Sequence, residues 1–250
     1  MRLIMSLFSM TQQIHFMRHG QALHNVRAEG LRSEGCSFET FINTMREDDA
    51  LDADLTPLGR EQAAAARAAL GARAAGAELL VASPLSRALE TAQLVFPELA
   101  AAGDGKFVCV EELREWSGQL VNARRRSRAE LRAKFPACDF SGVPEEDETW
   151  DAAALETEAS VRARGVRVLR WLAARPEREI AVVAHGGIYS ALFKPSNEWN
   201  VSPVVDEAGL LSDRFHNCEV RTVRLAPARE DGRFVVSGAG DITKRGLGPV

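Results

Sequence analysis

Two apolar, β-prone runs in this chain stop on the same kind of signal. Ile14-His15-Phe16-Met17 ends in Arg18-His19-Gly20, and Ile180-Ala181-Val182-Val183-Ala184 ends in His185-Gly186-Gly187. A strand that stops at a histidine and leaves through glycine delivers an imidazole to a sheet edge with a tight exit behind it. Open α/β sheets carry their chemistry at the carboxyl ends of their strands, so two such strands bring both histidines to one edge. Arg18 adds a fixed cation beside His19, which suits an anion site with a nucleophile.

The intervening pattern alternates helix and strand. Thr56-Pro57 reads as the N-cap and first residue of an Ala-rich helix to about residue 75. Residues 78–83 read as a buried strand, and Ser83-Pro84 opens a helix over about 85–96 with Arg87 in its first turn. A cation there opposes the helix dipole, so Arg87 is expected to meet an anion drawn to the same terminus. Residues 107–110 read as a strand, and Ser127-x-x-Glu130 as the capping box of a short helix to Phe135. Residues 156–175 and 186–193 read as helical, and 219–225 and 234–236 as late strands. Residues 25–54 and 195–217 read as loops, the first long enough to cover part of a site. Gly238-x-Gly240 lacks the third glycine of a dinucleotide fingerprint and reads as a turn.

With 31 basic against 35 acidic residues, a formal charge of −4 argues against nucleic acid as the main partner. The four cysteines, Cys36, Cys109, Cys138 and Cys218, form no Cys-x-x-Cys pair and suit reduced thiols in a cytosol-like compartment. No apolar run approaches the roughly 20 residues of a membrane helix. No linker divides the 250 residues, so residues 1–250 read as a single domain, with 1–12 as a leader outside the core. Organelle targeting is the alternative role for that leader. His15, His19 and His24 do not read as a metal cluster, because an i, i+4 pair shares a face only in a helix and this stretch reads as a strand.

Four blocks now stand in order: Arg18-His19-Gly20 with Asn25, Ser83-Pro84-Leu85-Ser86-Arg87-Ala88-Leu89-Glu90-Thr91-Ala92, Leu113-Arg114-Glu115, and Ala184-His185-Gly186-Gly187. Their order resembles the histidine phosphatase superfamily, also called phosphoglycerate mutase-like, over about residues 14–225. Residues 18–26, Arg125-Arg126-Ser127 and Phe215-His216-Asn217-Cys218-Glu219 are similar to its plant and fungal phosphoglycerate mutase-like branch. The resemblance implies an α/β fold, a three-layer α/β/α sandwich with a mostly parallel central sheet. It further implies that His19 is phosphorylated, that Arg18, Arg87 and His185 complete the phosphate pocket, and that Glu115 is the acid. Gln21, Asn25, Gly186, Arg125 and Arg126 are the implied further substrate contacts.

These residue types fit phosphoryl transfer, in which the protein positions the group and stabilises charge on its equatorial oxygens. Glu111 and Glu112 are rivals for the acid, with Glu115 preferred from its Leu-x-Glu position. The leading activity is a metal-independent phosphatase, without cofactor, acting on a small phosphorylated metabolite. A cofactor-dependent phosphomutase is the runner-up, weakened by Ala22 where glycolytic mutases tend to carry serine. A non-catalytic phospholigand-binding protein is the reading from another class. No nucleic-acid or membrane partner is expected, and the oligomeric state stays open. The run 124–128 reads as a solvated helix approach, an electrostatic funnel for anionic substrates, or a nuclear-localisation patch. His24 and His216 read first as structural or surface histidines.

Overall fold

Alternate residues of the central strands face opposite ways, and each set finds its own helices. In β1 (Gln12–Arg18), β2 (Leu79–Ala82) and β4 (Glu179–Ala184), Ile14, Phe16, Leu79, Val81, Ile180 and Val182 enter one core. Met17, Leu80, Ala82, Ala181 and Val183 enter the other. This period-two division of an almost wholly apolar strand is what a sheet covered on both faces demands. The first core is closed by α8 (Glu158–Ala173) and α9 (Gly186–Phe193), the second by α3 (Pro57–Leu70), α5 (Ser86–Val95) and α7 (Arg128–Lys134). The result is the three-layer α/β/α arrangement. The computed structural model describes residues 11–194 and 203–243, apart from 208, 210, 212, 227, 228 and 231.

With β3 (Phe107–Cys109), β5 (Val204–Asp206), β6 (Val220–Ala226) and β7 (Phe234–Thr243), the sheet has seven strands in the order β3-β2-β4-β1-β6-β7-β5. Strands β1 to β4 are mutually parallel, β6 runs antiparallel to β1 and β7, and β5 pairs parallel with β7. The register aligns Arg18 with Ala184, and Ala82 with Val183. His19, Ser83 and His185 therefore leave the sheet side by side at its carboxyl edge.

The helix caps follow the sequence. Thr56 Oγ1 accepts from the Gly59 N–H at 2.9 Å, and Ser127 and Glu130 form a reciprocal capping box. Several boundaries differ from expectation. Residues 25–54 are not all loop: after a 3-10 turn (Leu23–Asn25) they hold α1 (Val26–Ser33) and α2 (Phe38–Arg46). Ser37 caps α2 by accepting from the Thr40 N–H at 3.1 Å. Ala28 and Met45 bury against Leu120 and Ala123, a small apolar face that the charge density of this stretch conceals. Gly71, at φ +51, ends α3 early and starts α4 (Ala72–Gly76), and Pro97 opens α6 (Pro97–Ala101). Val204–Asp206 is a strand inside the expected loop 195–217, of which residues 195–202 lie outside the described residues. Gly238 and Gly240 lie within β7, beside a register shift at Thr222/Val223, and not in a turn. Of the residues 1–12 expected as a leader, Gln12 belongs to β1 and pairs with Leu225, and residues 1–10 lie outside the described residues. The four cysteines are free, and no helix among the described residues is long and apolar enough to cross a membrane.

Candidate active site

Each strand end carries one part of the site. His19 is buried where β1 stops, and its Nδ1 lies 2.6 Å from the Gly20 carbonyl. A carbonyl only accepts, so Nδ1 carries the proton and Nε2 is left bare. That Nε2 accepts from Arg87 Nε at 3.3 Å. Burial first, then Arg87 and Arg18, hold the His19 pKa well below the ordinary histidine value, which keeps the imidazole neutral. The backbone behind it is fixed: the Gly20 N–H donates to Thr91 Oγ1 at 3.1 Å, and Asn217 Nδ2 to the His19 carbonyl at 2.9 Å.

His185 follows β4 at the head of α9, with its ring centroid 5.0 Å from that of His19. Ser83 Oγ lies 2.7 Å from His185 Nε2 and receives the Leu85 N–H at 3.4 Å. A hydroxyl can donate or accept, so this contact is satisfied by either tautomer of His185, and Nδ1 is the ring nitrogen left buried without a partner. Burial, then Arg87, hold this pKa well down too.

Arg18 spends one terminal nitrogen on the Phe215 carbonyl at 3.1 Å and the other on Glu29 of α1 at 2.8 Å, leaving Nε buried and unpaired. Arg87 is 1 % exposed, and its Nη1 donates to the Asn122 carbonyl at 2.8 Å. Burial lowers its pKa to about 10, opposed by Asp52 and Glu115. The α5 terminus already holds an anion: Asp52 accepts from the Ser86 N–H and from Ser86 Oγ, each at 2.7 Å. The expected company for Arg87 is thus partly resident in the protein.

Glu115 lies against the start of α9. One carboxylate oxygen accepts from the Trp116 N–H at 3.0 Å and the Ile188 N–H at 3.1 Å, the other from the Gly187 N–H at 2.9 Å. Glycine at 187 leaves room for this carboxylate, because a Cβ there would stand 2.1 Å from Glu115 Oε1 and push it off the α9 terminus. Gly186 packs against Arg18, where a Cβ would meet Nε at 3.4 Å. Asn25 accepts the Ala22 N–H at 2.9 Å and keeps Nδ2 buried and unpaired, whereas the amide oxygen of Gln21 receives the Thr56 hydroxyl at 2.8 Å. The rivals of Glu115 are placed otherwise: Glu111 pairs with Arg114 and Arg125, and Glu112 faces Arg167 at 3.8 Å.

Within the run 124–128, Arg125 takes no part in the funnel that was one of its three readings. Arg125 is buried with every donor of its guanidinium committed to Glu111 and to the carbonyls of Arg126, Pro144, Glu145 and Glu146. No donor is left for a substrate, so Arg125 as a substrate contact is corrected to a loop anchor. Arg126 binds Asp52 at 2.8 Å and Ser86 Oγ at 3.2 Å, beside the α5 terminus. Arg124 lies over Trp150.

Sequence reasoning missed Glu29, Asn122, Asp52 and the role of Ser83. All are partners reached across the fold, and only Ser83, at a strand end level with the two histidines, carries a local signal. His24 also differs from its expectation, because it lies in the 3-10 turn and not in a strand, with its ring centroid 6.3 Å from that of His19. His15 is structural, held by Thr222 and Glu179, and His216 is exposed. Among the described residues no group of three or more His, Cys, Asp or Glu is arranged to hold a metal ion.

Fold and site together define an α/β protein whose sheet edge gathers two buried neutral histidines, two arginines and a carboxylate around unpaired hydrogen-bonding groups. The pattern of the histidine phosphatase superfamily (branch 1) matches residues 14–225, and the chain belongs to that superfamily. It is 32% identical over 239 residues to a phosphoglycerate mutase-like protein of Arabidopsis thaliana, covering 84% of this chain and 83% of that one. It is 31% identical over 191 residues to the glucosyl-3-phosphoglycerate phosphatase of Mycobacterium tuberculosis, covering 72% and 73%. The solved structure of a mycobacterial glucosyl-3-phosphoglycerate phosphatase with VO3 superposes with a TM-score of 0.51 at 26% identity, covering 92% and 98%.

Proposed function

We propose that the protein is a phosphatase that hydrolyses a small phosphorylated metabolite through a phosphohistidine at His19, without a metal. The observation that carries the reading is the pinned tautomer of His19: Gly20 holds the protonated Nδ1, and the bare Nε2 lies against Arg87. A neutral imidazole with its lone pair fixed beside two guanidiniums is a nucleophile next to an anion site.

In the first step the Nε2 lone pair forms the N–P bond as the ester P–O bond breaks. Arg18, Arg87, Asn25 and His185 Nδ1 hold the equatorial oxygens, and Glu115, a carboxylate while it accepts three backbone N–H bonds, takes the proton of a singly protonated phosphate monoester and passes it to the departing alkoxide. In the second, Glu115 takes a proton from the attacking water, the N–P bond breaks, and inorganic phosphate leaves. The names of the two phosphatase relatives support the hydrolytic outcome.

The test is phosphate release from an aryl ester and a panel of metabolite phosphates, sugar phosphoglycerates included, with His19→Ala as control. Expected are metal-independent release, its loss in His19→Ala, and an acid-labile phosphoryl adduct on the parent. Turnover that requires an added bisphosphate would identify a mutase, and tight phosphate binding with no release a phospholigand-binding protein. An active His19→Ala protein would overturn the mechanism.

A further inference from the structure

Eight buried side-chain polar atoms among the described residues have no hydrogen-bond partner. Five of them line one region of the sheet edge: Arg18 Nε, His24 Nδ1, Asn25 Nδ2, Asn122 Nδ2 and His185 Nδ1. An unpaired buried polar atom is costly, so each of these groups is short of one hydrogen-bond partner that a ligand can supply. Arg18, Asn25 and His185 are accounted for by the phosphoryl group in the reading above. His24 is not.

His24 is 6% exposed, in the turn that joins His19 to Asn25. The Ala22 N–H bond to Asn25 Oδ1 closes that turn at 2.9 Å, so His24 and the free Asn25 amide are presented together. The His24 ring lies 6.3 Å from His19, against 5.0 Å for His185, which puts it within reach of a group bound at His19 Nε2. Its charged neighbours are Arg87, Arg18 and, when protonated, His19. Those groups repel a proton but supply no acceptor, and burial works in the same direction, so the imidazole stays neutral. A neutral ring there offers one N–H without adding charge to a site that already holds two guanidiniums.

We propose that His24 is a phosphate ligand, its Nδ1–H donating to an oxygen of the transferring phosphoryl group beside Arg18, Arg87, Asn25 and His185. This rests on the phosphoryl pocket proposed above. It adds a neutral donor beside those of His185 and Asn25 and leaves the leaving group to other residues. The acceptor is therefore common to every substrate, and His24 sets affinity for phosphate itself and not the choice of alcohol.

The experiment compares the parent, His24→Leu and His24→Asn. Asparagine places an amide nitrogen close to the Nδ1 position, and leucine removes the donor. Inorganic phosphate binding is measured by calorimetry, and kcat/KM with an aryl and an alkyl phosphate. The leucine variant should bind phosphate about 10-fold more weakly and lose kcat/KM on both esters by the same factor of about 10–100, with asparagine recovering most of each. Parental phosphate affinity in His24→Leu would overturn the proposal. So would a loss confined to one leaving group, or an asparagine variant as poor as leucine with an unchanged Tm. Should the leucine variant not fold, His24→Ala, which also removes the donor, takes its place. Phosphate binding that depends on His24 in a protein that turns over no ester would sink the phosphatase reading and leave this one standing.

Discussion

Gly187→Ala separates stability from catalysis. The new Cβ would lie 2.1 Å from Glu115 Oε1 and 2.8 Å from both its carboxyl carbon and Trp116 Cδ1, all atoms of side chains. The conflict is relieved when the carboxylate, at the end of a rotatable chain, swings off the α9 terminus. It then gives up the Gly187 and Ile188 N–H bonds, each worth roughly 1.5–3 kcal/mol to a charged acceptor. Alanine in place of glycine in a helical turn returns about 1 kcal/mol. The net cost of about 2–5 kcal/mol lowers Tm by about 4–20 °C, at about 2–4 °C per kcal/mol for a chain of this size, and leaves a folded protein to assay at 25 °C. The proton donor is displaced by an ångström or more, which costs on the order of 10²-fold. An alkyl phosphate, whose alkoxide needs that proton, should lose about 10²-fold in kcat, and a p-nitrophenyl ester far less. Stopped assays of phosphate release beside a thermal melt read both quantities. Undiminished alkyl-ester turnover in a folded Gly187→Ala protein would refute the role of Glu115 as the acid held by α9.

Glu115→Gln should reproduce that substrate split, and an equal loss on aryl and alkyl esters would reject the assignment. His19, His24 and His185 all have depressed pKa values, so the unfolded chain binds protons that the native pocket refuses. Their contribution to stability is intact above the unfolded value near 6.5 and is lost as pH falls below it, by up to about 1.4 kcal/mol per histidine per pH unit. Thermal melts from pH 8 to 5 should show this decline, with inorganic phosphate opposing it; a flat profile would contradict the three neutral rings. Asp147→Asn breaks a buried bidentate pair with Arg114 and should cost about 3–5 kcal/mol in urea unfolding, whereas a neutral result would show the pair to be dispensable. Gly59→Ala drives a Cβ to 2.0 Å from the Gln21 carbonyl, backbone against backbone, and should cost about 3 kcal/mol by the same measurement.

The strand ends at His19 and His185 were legible because burial on both faces leaves continuous apolar runs, and a run that stops at His-Gly has little other use. Thr56, Ser127 and the helices after them were legible because capping is local chemistry. What escaped was either a weak amphipathic signal or a contact between distant segments. Helices α1 and α2 bury few apolar residues, so their charge hid them. Arg125 and Arg18 look alike in sequence, yet one is consumed by the carbonyls of residues 144–146 and the other keeps a donor free. Only the fold decides which arginine is spent. His24 was grouped with the strand in setting aside a metal cluster, whereas β1 ends at Arg18 and His24 lies in the 3-10 turn that follows.

Glu29 joins Arg18 to Arg214, so α1 and the stretch before β6 share one carboxylate with a guanidinium of the proposed phosphate pocket. Both segments are free to drift toward new alcohols only while that acid stays in place. Selectivity and chemistry are geared together at this residue, and laboratory evolution of substrate range would have to work around it.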